Sequence, residues 1–321
     1  MKLLSVLFII TLLLTNAQES PELKEAADLT ESVTKLFKEQ KFEEALPLAK
    51  RALEIREIQL PRGDQRILTS LGYLSDVYSA LRKFDNARKT LERLLAMQEE
   101  RLGPTALDLA ATLDRLALLY NSDDNVDKAE EMYQRALAIR EKEYGPDDIK
   151  NAKALFSLAQ FYRKREQYDK ALSFYKRTLS IYGRVSGVNS PEFEHASNAF
   201  GCLAYVSRNK EVFEELNDIR NRFAPGLPRI EPADVLNGTA LELPRPDYPV
   251  IARERRLFGK VIVLVVVDET GKVVSASDMC QGPPHLTEAA IRAAWRSRFS
   301  PVKGSGPLQR RGIIQYDFRR Y

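Results

Sequence analysis

Histidine and cysteine are nearly missing from this chain, with two of each in 321 residues. His195 and His285 lie far apart, and Cys202 and Cys280 show no metal-ligand spacing, which removes a protein-held metal centre from the functional classes to consider. Phosphate-loop chemistry is excluded too, because the Gly-Ser-Gly at Gly304 stands beside Pro307 as a turn instead of following a strand and opening a helix. No group is thereby nominated as nucleophile, general base or metal ligand, and the chain reads as a non-enzyme without a cofactor. The two cysteines fall in different predicted domains, where a disulfide would have to staple one domain to the other. The expectation is two unpaired, mostly buried thiols.

Long apolar runs are also scarce. One stands near the start, from Leu3 to Leu14, after Met1 and Lys2 and before Thr15, Asn16 and Ala17. As a helix it spans roughly 18 Å, against a hydrocarbon core of about 30 Å. Charged, apolar and small-residue regions in that order predict a secretory leader over residues 1–17, with an uncleaved inner-membrane anchor as the alternative. No cysteine near Ala17 offers a site for lipid attachment.

What the chain does have is an ordinary soluble composition, 29% charged and 44% hydrophobic, with a formal net charge of +4. Its charge is uneven, because Ala240 to Tyr321 hold 14 Lys and Arg against 8 Asp and Glu. This excess predicts a basic face on the C-terminal part. Nucleic acid is not an expected partner, since the aromatic residues that can be placed fall at core spacings.

A repeat fills the middle of the chain. "KFEEALPLAKRALEIRE" at Lys41, "KFDNARKTLERLLAMQEE" at Lys83, "NVDKAEEMYQRALAIREKEYGP" at Asn125 and "QYDKALSFYKRTLSIYG" at Gln167 begin at one fixed interval, and a degraded copy starts at Asn209. Such self-similarity means stacked units, none able to bury its apolar face alone. Within a unit, Leu113, Leu116, Ala117 and Tyr120 recur at helical spacing, and Ala129, Tyr133 and Ala136 continue a second helix. Ala45, Ala87, Ala129 and Ala171 share one slot, where paired helices must approach closely. These residues resemble the tetratricopeptide repeat in the longer form found in kinesin light chains, over residues 23–223. The resemblance implies an α-solenoid with a groove for a peptide or protein, or alternatively a spacer or oligomerisation scaffold. Inward slots of the first helices present Asp76, Asp114, Phe156, Gln160, Arg163 and Lys164, of which Asp114, Phe156, Gln160 and Arg163 are the groove candidates. The Lys and Asn arrangement by which some such repeats clamp a terminal carboxylate does not occupy those slots.

Five prolines between Ala224 and Pro246 predict an extended connector over residues 224–246, about 70 Å at full stretch. The domains it joins are expected to move independently. "NGT" at Asn237 reads as a turn, though it also matches a glycosylation sequon.

Residues 247–321 then read as helix, strand, strand, helix, strand: a short helix after Pro249, a strand from Gly259 to Asp268, one from Lys272 to Met279, a helix from Leu286 to Arg296 and a strand from Gly312 to Arg319. The unbroken apolar run from Val261 to Val267 marks the inner strand. The sum is a small α+β domain with a three-stranded antiparallel sheet and its helices on one face. Tyr248-Pro249 with Ala252, Gly259-Lys260-Val261, Val267-Asp268 with Gly271, Gly282, Leu286 with Ala289-Ala290, Phe299 with Pro301, Gly306 and Phe318 resemble the C-terminal domain of TonB, the energy transducer of Gram-negative outer-membrane transport.

That resemblance implies a last strand that accepts a short segment of an outer-membrane transporter as an added strand. Carried over, the binding strand comprises Gly312, Ile313, Ile314, Gln315, Tyr316, Asp317, Phe318 and Arg319, with Arg310 and Arg311 available for steering. Two departures limit the transfer. The leader carries Ser5 but no histidine with which to engage a proton-driven motor, and a solenoid replaces the family's long proline-rich reach. The expected role is therefore a periplasmic protein-binding adaptor, with a membrane-anchored transducer or a purely structural repeat adaptor as alternatives.

Overall fold

The computed structural model describes residues 20–207, 209–225, 234–236, 240–254, 257–280, 282–301 and 310–318. The leader, the Asn237 and Gly304 turns and Arg319 lie outside them, as do the side chains of Arg310 and Arg311. Two compact units divide the chain at Pro146 and Asp147, inside the repeat region.

Among the described residues, the first unit holds six helices: α1 (Pro21–Lys38), α2 (Phe42–Gln59), α3 (Gln65–Ala80), α4 (Phe84–Leu102), α5 (Leu109–Ser122) and α6 (Val126–Tyr144). Their ends are written in the sequence. Ser20 accepts a hydrogen bond from the Leu23 amide at 3.2 Å and Asp64 accepts one from the Arg66 amide at 2.8 Å, each satisfying an otherwise orphaned helix N–H. Gly103 and Gly145, both at φ 84°, end α4 and α6 in a backbone conformation that other residues adopt only at a cost. Ala45, Ala87 and Ala129 are fully buried where paired helices meet, and Leu113, Leu116, Ala117 and Tyr120 form the inward stripe of α5.

The tight turns inside four of the helix pairs are built the same way. Gln40, Arg82, Asp124 and Glu166 all adopt left-handed conformations, at φ 60°, 56°, 58° and 58°. The amide after each then bonds back to Leu36, Tyr78, Tyr120 or Tyr162, closing the helix end.

The second unit continues with α7 (Ile149–Lys164), α8 (Tyr168–Val185), α9 (Pro191–Ser207) and α10 (Lys210–Phe223). It then turns to mixed structure: β1 (Asp234–Val235), β2 (Ala240–Glu242), α11 (Val250–Glu254), β3 (Gly259–Val267), β4 (Val273–Asp278), α12 (Pro284–Trp295), β5 (Arg298–Phe299) and β6 (Arg310–Phe318). The expected helix-strand-strand-helix-strand order is present, and β4, β3 and β6 form the expected antiparallel sheet. The connector adds what the sequence did not suggest. β1 extends that sheet to the order β1-β6-β3-β4, and β2 pairs with β5 in a separate two-stranded ribbon.

Both faces of β3 are covered, which is why its sequence shows no alternation. Val261, Val263, Val265 and Val267 face the helix α12 and pack with Leu286, Ala289, Ala290, Ala293 and Ala294. Ile262 and Leu264 point the other way, into a cluster with Cys202, Tyr205 and Val206 of α9, Met279 and Ile313. Burying each such branched side chain contributes about 1.5–3 kcal/mol. The turn between β3 and β4 is held by Asp268, whose carboxylate accepts from the Thr270 amide and hydroxyl and the Lys272 amide at 2.7–2.9 Å. Gly271, at φ 85°, then lies so close to the Phe299 carbonyl that a side chain has no room.

Two expectations are corrected here. Helices do not stay on one sheet face, since α9 of the last repeats covers the second. The connector likewise does not leave the C-terminal domain independent: the sheet and α7–α10 belong to one compact unit, joined by an apolar cluster on α9.

Candidate functional site

The cysteines overturn a further expectation. Cys202 of α9 and Cys280, just beyond β4, form a disulfide across 78 residues of sequence, with their Cα atoms 5.1 Å apart. Free thiols were expected because the two residues belong to differently patterned segments. Docking the sheet on α9 brings the pair within bonding reach, a proximity that linear spacing does not encode.

Polar contacts surround the bond. Arg163 of α7 directs one guanidinium nitrogen to the Cys202 sulfur and another to the Cys280 carbonyl, both at 3.4 Å. Its Nε donates to Gln160 Oε1 at 3.0 Å, and the same oxygen accepts from the Tyr175 hydroxyl at 3.0 Å. Burial pushes the Tyr175 phenol up to about 12, while the Arg163 charge pulls the other way. Gln315 of β6 donates to the hydroxyl of Tyr205 on α9.

The four groove candidates therefore have different surroundings. Asp114 pairs with Arg140 of α6 in the first unit. In the second unit, Gln160 and Arg163 sit in the network beside the disulfide. Phe156 packs against Tyr175 and His195 at ring separations of 5.9 and 5.2 Å, and it lines an open cavity of about 480 Å³ with Lys153, Ser157, Tyr182 and Glu192. The structure brings Phe156, Gln160 and Arg163 onto α7 and leaves Asp114 in the other unit.

On β6, the side chains alternate as the sequence indicates. Ile314, Tyr316 and Phe318 enter the core under α12, while Ile313 lies against α9 and Asp317 is exposed. Backbone direction follows from the register. Ile262, opposite Gln315, gives its carbonyl to the Met279 amide on the β4 side at 3.0 Å, so Ile262 and Gln315 turn their peptide groups away from each other. Ile313 does the same, its carbonyl accepting from the Leu236 amide at 2.8 Å on the far side of β6. Ile313, Gln315 and Asp317 thus aim their backbone polar groups away from β3. On that outer side β1 runs parallel to β6, matched to Gly312 and Ile313.

Reasoning from sequence missed Cys202, Tyr205, Met279 and Leu236. The signal for Leu236 was present as the apolar pair Val235-Leu236 inside a proline-rich stretch. For the other three, helical or strand periodicity marks burial without naming the surface that buries them.

A helix-pair solenoid carrying a small mixed sheet domain defines a protein-interaction scaffold, and the comparisons give its parts their families. Residues 36–100 and 108–184 match the tetratricopeptide repeat, and residues 244–319 match the Gram-negative bacterial TonB protein C-terminal. Both are scaffold or transport-associated domains, not enzyme families. Among solved structures, the chain is similar to the putative kinesin light chain of Podosopora anserina with nearly identical TPR-like repeats. That likeness has 18% identity and a TM-score of 0.54, over 64% of this chain and 99% of that one. It is also similar to BtubC (BKLC) from P. vanneervenii, at 17% identity and a TM-score of 0.52 over 72% and 98%. At these identities the likeness shows the repeat fold alone. No curated protein matches the chain.

Among the described residues, no helix is long and apolar enough to cross a membrane.

Proposed function

We propose that this protein is an exported adaptor whose C-terminal domain takes an extended segment of a partner protein as an added strand along β6. The observation that carries the reading is the outward direction of the Ile313, Gln315 and Asp317 backbone groups, on an edge where a strand, β1, is already seated. Backbone amides and carbonyls in that direction supply affinity, and alternate side chains set preference. The likeness of residues 244–319 to the TonB C-terminal makes a segment of an outer-membrane transporter the first partner class to try. Export is supported by the leader pattern and by the disulfide, which persists in an oxidising compartment such as the periplasm. The repeats serve as the scaffold, and Phe156 with its cavity is the place on them for a second protein contact.

Synthetic peptides tiling the N-terminal segments of outer-membrane transporters from a Gram-negative host test the strand-addition reading by calorimetry. Gln315→Pro removes one outward amide and leaves the β3 pairing in place, so it is expected to weaken capture at least about ten-fold, about 1.4 kcal/mol, with unchanged circular dichroism. Equal binding by wild type and variant, or no capture of any peptide, overturns it. Export has its own check: mature protein beginning at Gln18 in the periplasmic fraction supports it, and a cytoplasmic location counts against it.

A further inference from the structure

We infer that the Cys202–Cys280 disulfide is a polarised thiol-exchange site for a dithiol reductant: the incoming thiolate attacks the Cys280 sulfur, and Cys202 leaves as a thiolate beside Arg163. The inference is independent of the strand-addition reading, since it needs no partner on β6.

The two sulfurs stand in unlike surroundings. Cys202 is 0% exposed, in the apolar cluster with Ile262, Met279 and Ile313, whereas Cys280 packs against that cluster and is only partly buried. A thiolate arriving from solvent therefore meets Cys280 first, and an attack along the S–S axis from that side expels Cys202.

Charge favours the same direction. Burial alone would make Cys202 a poor leaving group, because an apolar site penalises the thiolate. Arg163 reverses that penalty, with one guanidinium nitrogen 3.4 Å from the Cys202 sulfur, and a cation acts more strongly in a dry site than in water. The guanidinium is held in place by its bond to the Cys280 carbonyl at 3.4 Å and by Nε donating to Gln160 Oε1 at 3.0 Å. At the other end, the Asp278 carboxylate accepts from the Cys280 amide at 3.0 Å and from the Gly282 amide at 2.9 Å. A carboxylate there disfavours a second negative charge on Cys280.

The exchange runs in two displacements. The reductant's thiolate forms a new S–S bond to Cys280, the Cys280–Cys202 bond breaks, and its electron pair leaves on Cys202. The reductant's second thiol, deprotonated, then attacks its own sulfur in the mixed disulfide and closes the reductant as a disulfide, releasing Cys280. Two electrons pass to the protein. Of the two protons lost by the dithiol, one ends on Cys280 and the other in solvent, while Cys202 remains a thiolate paired with Arg163.

The test uses the full chain with its disulfide formed. Brief exposure to glutathione, an acid quench and alkylation with N-ethylmaleimide in urea fix the mixed disulfide for peptide mapping by mass spectrometry. Glutathione is expected on Cys280 in about ten-fold or greater excess over Cys202. The rate of reduction by dithiothreitol supplies a second readout. Arg163→Gln is expected to slow it by about ten-fold, because the rate depends on the stability of the leaving thiolate. Loss of shielding alone would speed it up, so the direction of change separates a positioning role from a structural one. Arg163→Lys keeps the charge and is expected to recover most of the rate. Should Arg163→Gln fail to fold, Gln160→Ala, which removes the acceptor of the guanidinium Nε, carries the same comparison.

Equal labelling of the two cysteines, or an excess on Cys202, overturns the polarity. Unchanged or faster reduction of Arg163→Gln with wild-type circular dichroism overturns the role of Arg163. A bond that neither thiol opens until the protein unfolds overturns the exchange site altogether and leaves a purely structural cross-link.

Discussion

Cys202 and Cys280 join the last full helix pair of the solenoid to the sheet that follows it, and the bond lies beside the Arg163 guanidinium. It fixes one face of the sheet on α9. The cross-link closes a long loop, which restricts the unfolded chain more than it alters the folded one.

Reduction should therefore destabilise the second unit without unmaking its secondary structure. A native disulfide closing a loop of this length contributes roughly 2–4 kcal/mol. Thermal unfolding with and without dithiothreitol should show a clear drop in midpoint, reproduced by the double replacement Cys202→Ala with Cys280→Ala, on which dithiothreitol then has no further effect. A midpoint indifferent to reductant would mean that the bond does not form in solution.

Glu166 holds a left-handed conformation, at φ 58°, that glycine adopts without steric cost. Relief of that cost outweighs the extra chain entropy of glycine, so Glu166→Gly should stabilise the α7–α8 turn by up to about 1 kcal/mol. Urea denaturation reads the gain directly, and Arg82→Gly should act likewise between α3 and α4. Loss of stability in both variants would show that side-chain contacts, not backbone strain, dominate these turns.

Tyr175 gives the fold an alkaline limit. Its phenol is pushed up to about 12, mainly by burial, against about 10 in an unfolded chain, so the folded state holds this proton more tightly. That contribution is whole below pH of about 10 and is lost as pH rises toward about 12. Tyr120 and Tyr133, both also raised to about 12 with burial as the leading cause, act in the same direction. Urea midpoints across this range should fall, and Tyr175→Phe should make the fall shallower. An identical slope in that variant would place the alkaline sensitivity elsewhere.

Capture of an extended peptide by the β6 edge is the functional expectation, with Gln315→Pro as its decisive variant. Ile314→Pro is the less informative choice. Ile314 faces Val263 as a hydrogen-bonded pair, so its replacement breaks the sheet itself and confounds lost binding with lost fold.

Much of this architecture is local and was readable from the sequence. Recurring Leu, Ala and Tyr at helical spacing define the helix pairs, and the shared Ala45, Ala87, Ala129 and Ala171 slot marks their closest approach. The run from Val261 to Val267 identifies a buried strand, and Ile314, Tyr316 and Phe318 show which way the last strand faces. These readings succeed because helix and strand periodicity is set by neighbours a few residues away.

What lay beyond the sequence depends on surfaces meeting across long stretches of chain. No periodicity indicates that α9 covers the second sheet face, that Cys202 reaches Cys280, or that Arg163 donates to the Cys280 carbonyl. Nor does it indicate that Leu236, in a stretch rich in proline, fills the space left by Gly312. Sequence determined the elements and their inward faces, because those follow from local backbone geometry and the burial of apolar side chains. Tertiary structure alone decided which faces meet and which edge is already taken, because those depend on shape complementarity between residues that the chain keeps far apart.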